Sequence, residues 1–141
     1  MMGAMAFGQT AQSAMPPGSP QLISPDDLSK AIQAPKAARP VILNVGPSLI
    51  YMQAHIPEAE YIGASSSQQG LASLRTRAKA LPHDAKIVLY CGCCPWEHCP
   101  NVAPAYAELQ KLGFKNVKVL YIANNFGADW VDKGYPTVKG H

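Results

Sequence analysis

The sequence predicts an α/β fold, a single domain with a mostly parallel central sheet flanked by helices. Three short runs, 41–45, 86–90 and 117–122, are almost entirely apolar. Such runs are typical of strands that are buried on both faces of a parallel sheet. Segments with helical spacing separate them, and strands that alternate with helices pair in parallel through crossover connections. The 141 residues are enough for one domain with its own hydrophobic core.

The first twenty residues are expected to form a flexible segment ahead of the domain, which we assign to residues 21–141. Residues 1–20 carry no charge and are rich in Ala, Gly, Ser, Gln and Pro. Residues 11–14 (AQSA) are similar to a signal-peptidase site, although no Lys or Arg precedes them. The segment is interpreted as a signal-peptide remnant with a linker, which favours a periplasmic or secreted location, or alternatively as a tail of a cytoplasmic protein.

The first half of the domain carries helix signals between short strands. Ser24 is a suitable N-cap and Pro25 a suitable first helical residue, while Pro35 ends that helix. The elements that follow are expected to be a strand over 41–45, a short helix over 48–54, a strand over 60–63 and a helix that carries Leu71, Leu74, Ala78 and Leu81 on one face.

The second half contains the other two apolar runs, each followed by a helix. Asn101 is expected to cap the helix after strand 86–90, and Gly113 to be the C′ residue that ends it. The strand over 117–122 precedes a last short helix, expected over 125–133. The sheet therefore has the strand–helix alternation of a parallel α/β domain.

All four cysteines lie in one segment, Cys91-Gly92-Cys93-Cys94-Pro95-Trp96-Glu97-His98-Cys99. The segment joins the end of strand 86–90 to the helix that begins near Asn101. Ligands of parallel sheets bind at the carboxyl ends of strands. Backbone N–H groups at a helix start stabilise an anionic sulfur. We therefore expect the function to depend on thiolate chemistry in this loop.

Composition argues against several other classes of protein. The net charge is +3 with 15% charged residues, and the basic residues are scattered, so a nucleic-acid partner is not expected. No apolar stretch approaches the length of a membrane span. Four clustered cysteines are unlike a disulfide framework, whose cysteines would be spread along the chain.

Four stretches have the order and spacing of a known family. They are residues 23–28 (ISPDDL), residues 41–45 with 55–59 (HIPEA), residues 87–91 (IVLYC), and residues 112–117 (LGFKNV) with Trp130 and 134–136 (GYP). Together they resemble the rhodanese-like (sulfurtransferase) domain family. The resemblance implies the rhodanese-like fold, with Cys91 accepting a sulfane sulfur as a persulfide and passing it to a thiol acceptor. It implies no cofactor, and a small sulfur donor or a protein persulfide or thiol as partner.

The sequence departs from the family pattern around the expected nucleophile. The family's loop ends in arginine, whereas no arginine follows Arg77 here. The loop from Cys91 to Asn101 is longer than the family's, and Asn44-Val45-Gly46 replaces its Asp-Val-Arg. We therefore expect a variant with a long cysteine-rich active-site loop, and weak activity with thiosulfate.

The remaining loop residues are expected to support Cys91, and their roles are left open between alternatives. The supporting residues are Gly92, Cys93, Cys94, Trp96, His98 and Cys99. No metal is predicted, because the cysteine spacing is not a zinc pattern. The alternatives are a soft-metal site, a thiol–disulfide redox cycle or a non-catalytic binding module. The metal alternative would use Cys91, Cys93, Cys94, Cys99 and His98.

Overall fold

The structure, a computed structural model, describes residues 20–140. The expectations for the N-terminal segment therefore concern residues that lie, apart from Pro20, outside the described range. The five strands within that range are β1 (Gln21–Ile23), β2 (Val41–Asn44), β3 (Glu60–Tyr61), β4 (Ile87–Tyr90) and β5 (Val117–Leu120). They form one sheet in the order β1-β5-β4-β2-β3, and every neighbouring pair is parallel. The predicted α/β domain with a parallel central sheet is confirmed.

Four helices connect these strands. They are α1 (Pro25–Ile32), α2 (Ser48–Gln53), α3 (Gln68–Ala78) and α4 (Val102–Lys111). Ser24 caps α1 as expected, since its side chain accepts the N–H of Asp27 at 3.0 Å. Gly113 follows α4 with a φ of 95°, which a C′ glycine adopts without strain. Within residues 20–140, no helix has both the length and the apolar composition needed to cross a membrane.

The last predicted helix is a different element. In place of a helix over 125–133, residues Gly127–Val131 form a single π-helical turn. The N–H of Asp132 reaches back five residues to the carbonyl of Gly127 at 2.8 Å, and this wider turn accompanies the complete burial of Trp130. The sequence pattern indicated a helical turn here but not its wider spacing.

Helices cover both faces of the sheet, which explains why the central strands β2 and β4 are almost entirely apolar. On one face, α1, α2 and the π turn contribute the buried side chains of Leu28, Tyr51, Phe126 and Trp130. On the other face, α3 and α4 contribute Leu74, Ala78, Ala105 and Leu109. Strand β4 lies between β2 and β5, and all four of its residues are buried. The segment after β4 therefore leaves from the centre of the sheet's carboxyl edge.

Candidate active site

Cys91 directly follows β4 and is only 2% exposed. The chain after the neighbouring strand β2 passes so close that a Cβ on Gly46 would lie 2.8 Å from Cys91 Sγ and 2.6 Å from Cys91 O. Asn44 Oδ1 accepts the N–H of Gly46 at 3.0 Å and holds this turn. Asn44-Val45-Gly46, which departs from the family pattern, therefore makes room for the sulfur of Cys91.

Backbone hydrogen bonds attach the long loop after Cys91 to the segment that follows β5. Gly92 has a φ of 97°, and its carbonyl accepts the N–H of Phe126 at 3.1 Å. The N–H of Trp96 bonds the carbonyl of Ile122 at 2.9 Å, just after β5. Residues Trp96–His98 then form a 3₁₀ turn that leads towards α4. These contacts give the loop a defined path despite its length.

The loop brings the four sulfur atoms together. Cys93 Sγ lies 3.4 Å from Cys91 Sγ, 2.7 Å from Cys94 Sγ and 4.0 Å from Cys99 Sγ. The sulfur atoms of Cys91, Cys93 and Cys99 all lie within 4.8 Å of one another. All four cysteines are free thiols in the structure. We call Cys91, Cys93 and Cys99 the sulfur triad.

The surroundings of Cys99 favour the ionised form of its side chain. Its sulfur lies within 4.8 Å of Cys91 Sγ and faces the backbone N–H groups of Asn101 and Val102 at the start of α4. These contacts lower the pKa of Cys99 to about 5. The neighbouring Cys99 side chain and burial raise the pKa of Cys91, although the N–H of Cys93 and the amide of Asn101 act in the opposite direction. Cys91 is thus a buried thiol with a raised pKa, and it lies beside a thiol whose pKa is lowered.

The other predicted loop residues surround the sulfurs unequally. Trp96 is half-buried and packs against the apolar cluster that contains Cys91 and Cys99. Cys94 is half-buried, and burial together with its Cys93 neighbour raises its pKa to about 12. His98 is exposed, and it is not one of the metal-ligating side chains that converge near Cys91. The fold therefore brings together three of the five residues of the soft-metal alternative.

A cavity of about 440 Å³ opens beside the loop at the carboxyl edge of the sheet. Cys93 lines it together with Ile50 of α2 and Phe126 next to the π turn. Cys93 Sγ is also 3.4 Å from Cys91 Sγ. A small molecule that enters the cavity can therefore contact Cys93, whose sulfur lies next to that of Cys91.

Two residues of the site were not identified from the sequence. Asn101 was expected to cap α4, but its side chain makes no capping hydrogen bond. It donates instead from Nδ2 to Cys91 Sγ at 3.4 Å and accepts the N–H of Ser66 on Oδ1 at 2.9 Å. Gly46 was noted only as a departure from the family pattern. The sequence signal that could have identified Gly46 is its position after a buried strand, where glycine often marks the close approach of another chain segment.

Comparison with known proteins agrees with the fold. A family model for the rhodanese-like domain matches residues 24–121. No curated protein matches the sequence. A solved protein from Bacillus halodurans has a TM-score of 0.65 and 21% identity, covering 96% of this chain and 85% of its own.

Two solved sulfurtransferases are also similar in structure. The single-domain sulfurtransferase of Saccharomyces cerevisiae has a TM-score of 0.59 and 16% identity, covering 85% of this chain and 95% of its own. Thiosulfate sulfurtransferase from Pseudomonas aeruginosa has a TM-score of 0.63 and 17% identity, and covers 86% of this chain but only 21% of its own. Structural similarity at such low sequence identity shows that the fold is shared and no more than that. Because the family model matches residues 24–121, which are most of the sequence, the chain belongs to the rhodanese-like domain family.

Proposed function

We propose that this protein is a sulfurtransferase that carries sulfane sulfur as a persulfide on Cys91 and passes it to a thiol acceptor. The observation that carries the proposal is the position of Cys91 at the end of the central strand β4, with its sulfur accepting the Nδ2–H of Asn101 at 3.4 Å. Hydrogen bonds to a sulfur stabilise the thiolate that must form when it attacks or leaves. No cofactor is required for this chemistry.

The loading step can be written with the residues at hand. Cys91 Sγ attacks the outer sulfur of a donor persulfide, R–S–SH, while its proton passes to the Cys99 thiolate, whose sulfur lies within 4.8 Å. The donor's S–S bond breaks, the thiolate R–S⁻ leaves, and Cys91 holds the transferred sulfur as a persulfide. Because one S–S bond breaks as another forms, no external oxidant or reductant is needed.

The discharge step reverses these roles. An acceptor thiolate attacks the outer sulfur of the Cys91 persulfide, and Cys91 leaves as a thiolate that regains the proton from Cys99. The hydrogen bonds from the Asn101 amide and the Cys93 N–H stabilise Cys91 at this moment. The cavity lined by Cys93 supports access for both donor and acceptor.

The electrostatics favour an alkyl or protein persulfide, which carries at most one negative charge, over the dianion thiosulfate. No arginine follows Arg77 in the sequence, so the loop lacks the family's usual cation for a dianionic donor. The Cys99 thiolate beside Cys91 adds repulsion against a dianion. A donor with little or no net charge avoids both costs.

The test is intact-mass spectrometry of the reduced protein before and after exposure to polysulfide. Wild type and Cys94→Ser are expected to gain one sulfur mass, whereas Cys91→Ser is not. Cys94 is the matched control because it lies in the same loop as Cys91, but the sulfur that it contacts is that of Cys93. A Cys91→Ser variant that gains sulfane sulfur at the wild-type rate would refute the assignment.

A thiol–disulfide redox function is the second candidate. The 4.0 Å separation of Cys93 Sγ and Cys99 Sγ favours it, because a small rotation of either side chain would bring the two sulfurs together. A mass loss of two hydrogens on exposure to polysulfide, without sulfur gain, would favour this function over sulfur transfer. If the protein neither gains a sulfur mass nor loses two hydrogens, a non-catalytic binding module would be favoured.

A further inference from the structure

The sulfur triad places three potential metal ligands within 4.8 Å of one another. We propose that Cys91, Cys93 and Cys99 bind one Cu(I) ion through their three sulfur atoms. The inference goes beyond sulfur transfer, since metal binding needs only the positions of the sulfurs and no turnover.

The sulfur separations fit a trigonal metal–thiolate centre. Three sulfurs at about 2.3 Å from a central ion, in one plane with it, are about 4.0 Å from each other. Cys93 Sγ is 4.0 Å from Cys99 Sγ and 3.4 Å from Cys91 Sγ, and all three sulfurs lie within 4.8 Å of one another. Shifts of a few tenths of an ångström would complete the triangle.

The ligand set favours a soft monovalent cation. All three ligands are sulfur atoms. The metal centres that thiolates prefer in proteins are Cu(I), Zn(II) and iron–sulfur clusters. Zinc in structural sites takes four ligands in a tetrahedron. The available fourth ligands do not supply that geometry, because His98 is exposed and Cys94 lies outside the group of sulfurs that share one centre. Three convergent sulfurs therefore match Cu(I) better than Zn(II).

Hydrogen-bond donors surround the sulfurs on the side of α4. One Cu(I) with three thiolates carries a net charge of −2, which a buried site must compensate. The Asn101 amide donates to Cys91 Sγ at 3.4 Å, and the N–H groups of Asn101 and Val102 face Cys99 Sγ. The N–H of Cys93 faces Cys91 Sγ. Such outer donors orient thiolate ligands and offset their charge.

Burial would protect the bound ion while leaving one route of entry. Cys91 is 2% exposed and Cys99 is 5% exposed, whereas Cys93 is half-buried and lines the cavity. An ion can therefore reach the triad from the cavity and become enclosed by Cys91 and Cys99. Because Cu(I) and a transferred sulfur would use the same atom of Cys91, bound Cu(I) is expected to block persulfide formation.

The test is anaerobic titration of the reduced full-length protein with Cu(I) against the chromogenic chelator bathocuproine disulfonate. Wild type and the matched control Cys94→Ser are expected to bind one Cu(I) per chain with equal affinity. Asn101→Asp keeps an acceptor for Ser66 but loses the donor to Cys91, and its affinity should fall by about 10–100-fold. Serine at Cys91, Cys93 or Cys99 should reduce the affinity by more than Asn101→Asp does, with circular dichroism confirming that each variant is folded.

X-ray absorption at the copper edge gives a second readout, for which three sulfur neighbours at about 2.3 Å are expected. The proposal is overturned if Cys94→Ser loses as much affinity as the triad variants, or if removing all three triad sulfurs leaves the affinity unchanged. It is also overturned if copper shows two or four sulfur neighbours. Sulfur loading is measured separately with polysulfide and no metal, so a failure of this site and a failure of sulfur transfer are distinguishable.

Discussion

Replacing Gly46 with alanine would test how closely the turn after β2 must approach Cys91. A Cβ at this position would lie 2.6 Å from Cys91 O and 2.8 Å from Cys91 Sγ, closer than the 3.0 Å that real Cβ atoms keep. The two segments cannot simply separate, because the N–H of Val45 bonds the carbonyl of Tyr90 at 2.9 Å. Overpacking of this kind typically costs about 1–3 kcal/mol of unfolding free energy. If Cys91 Sγ moves by about 1 Å, persulfide formation should slow by about a hundredfold.

The assay for Gly46→Ala combines urea unfolding with the rate of sulfur gain from polysulfide, followed by intact mass. Gly134→Ala is the matched control, since Gly134 has a φ of 83° and no heavy atom within 4 Å of a Cβ built there. It should lose about 1–2 kcal/mol through backbone strain alone while loading sulfur at the wild-type rate. Equal loading rates for wild type, Gly46→Ala and Gly134→Ala would refute the proposed dependence on the position of Cys91.

Three further predictions concern the donors and thiols around Cys91. Asn101→Asp should slow persulfide formation by about tenfold or more in single-turnover assays, because it replaces a donor to Cys91 Sγ with a negative charge; an unchanged rate would remove the amide from the mechanism. Thiosulfate should be about a hundredfold slower than an alkyl persulfide, which carries at most one negative charge, because the loop lacks a cation for a dianion; turnover equal to that of an arginine-containing rhodanese, measured side by side, would contradict this. Mild oxidation with diamide should link Cys99 to Cys91 or Cys93, since the three sulfurs lie within 4.8 Å of one another; peptide mapping that finds four free thiols would contradict it.

The fold was predictable because its central strands are buried on both faces. The expected strands over 41–45, 86–90 and 117–122 correspond to β2, β4 and β5, with ends displaced by one or two residues. Parallel pairing followed from the alternation with helices, and it placed the segment after β4 at the sheet's carboxyl edge. The identification of Cys91 as the residue that follows a buried strand needed no more than this local pattern, whereas the central position of that strand comes from the structure.

The contacts among the loop residues were not predictable, because they depend on chain segments far apart in the sequence. Asn101 carries a strong local signal for a helix cap, but its amide bonds Cys91 Sγ and the N–H of Ser66 instead. From the sequence, Cys99 is one of several loop residues expected to support Cys91, and one ligand of the soft-metal alternative. Its location against the first N–H groups of α4, which lowers its pKa to about 5, emerges only when the loop is folded. Likewise, the cysteine spacing argued against zinc but could not show that three sulfurs converge.

The most direct measurement of the central proposal is the position of the transferred sulfur. The reduced protein would receive one equivalent of polysulfide, persulfides would be trapped at once by alkylation, and the peptide that spans the cysteine loop would be fragmented in a mass spectrometer. We predict that the additional sulfur is on Cys91, and that a thiol acceptor added before the trap removes it. An additional sulfur on Cys93, Cys94 or Cys99, with Cys91 unmodified at the earliest times, would contradict the assignment of Cys91 as the sulfur carrier.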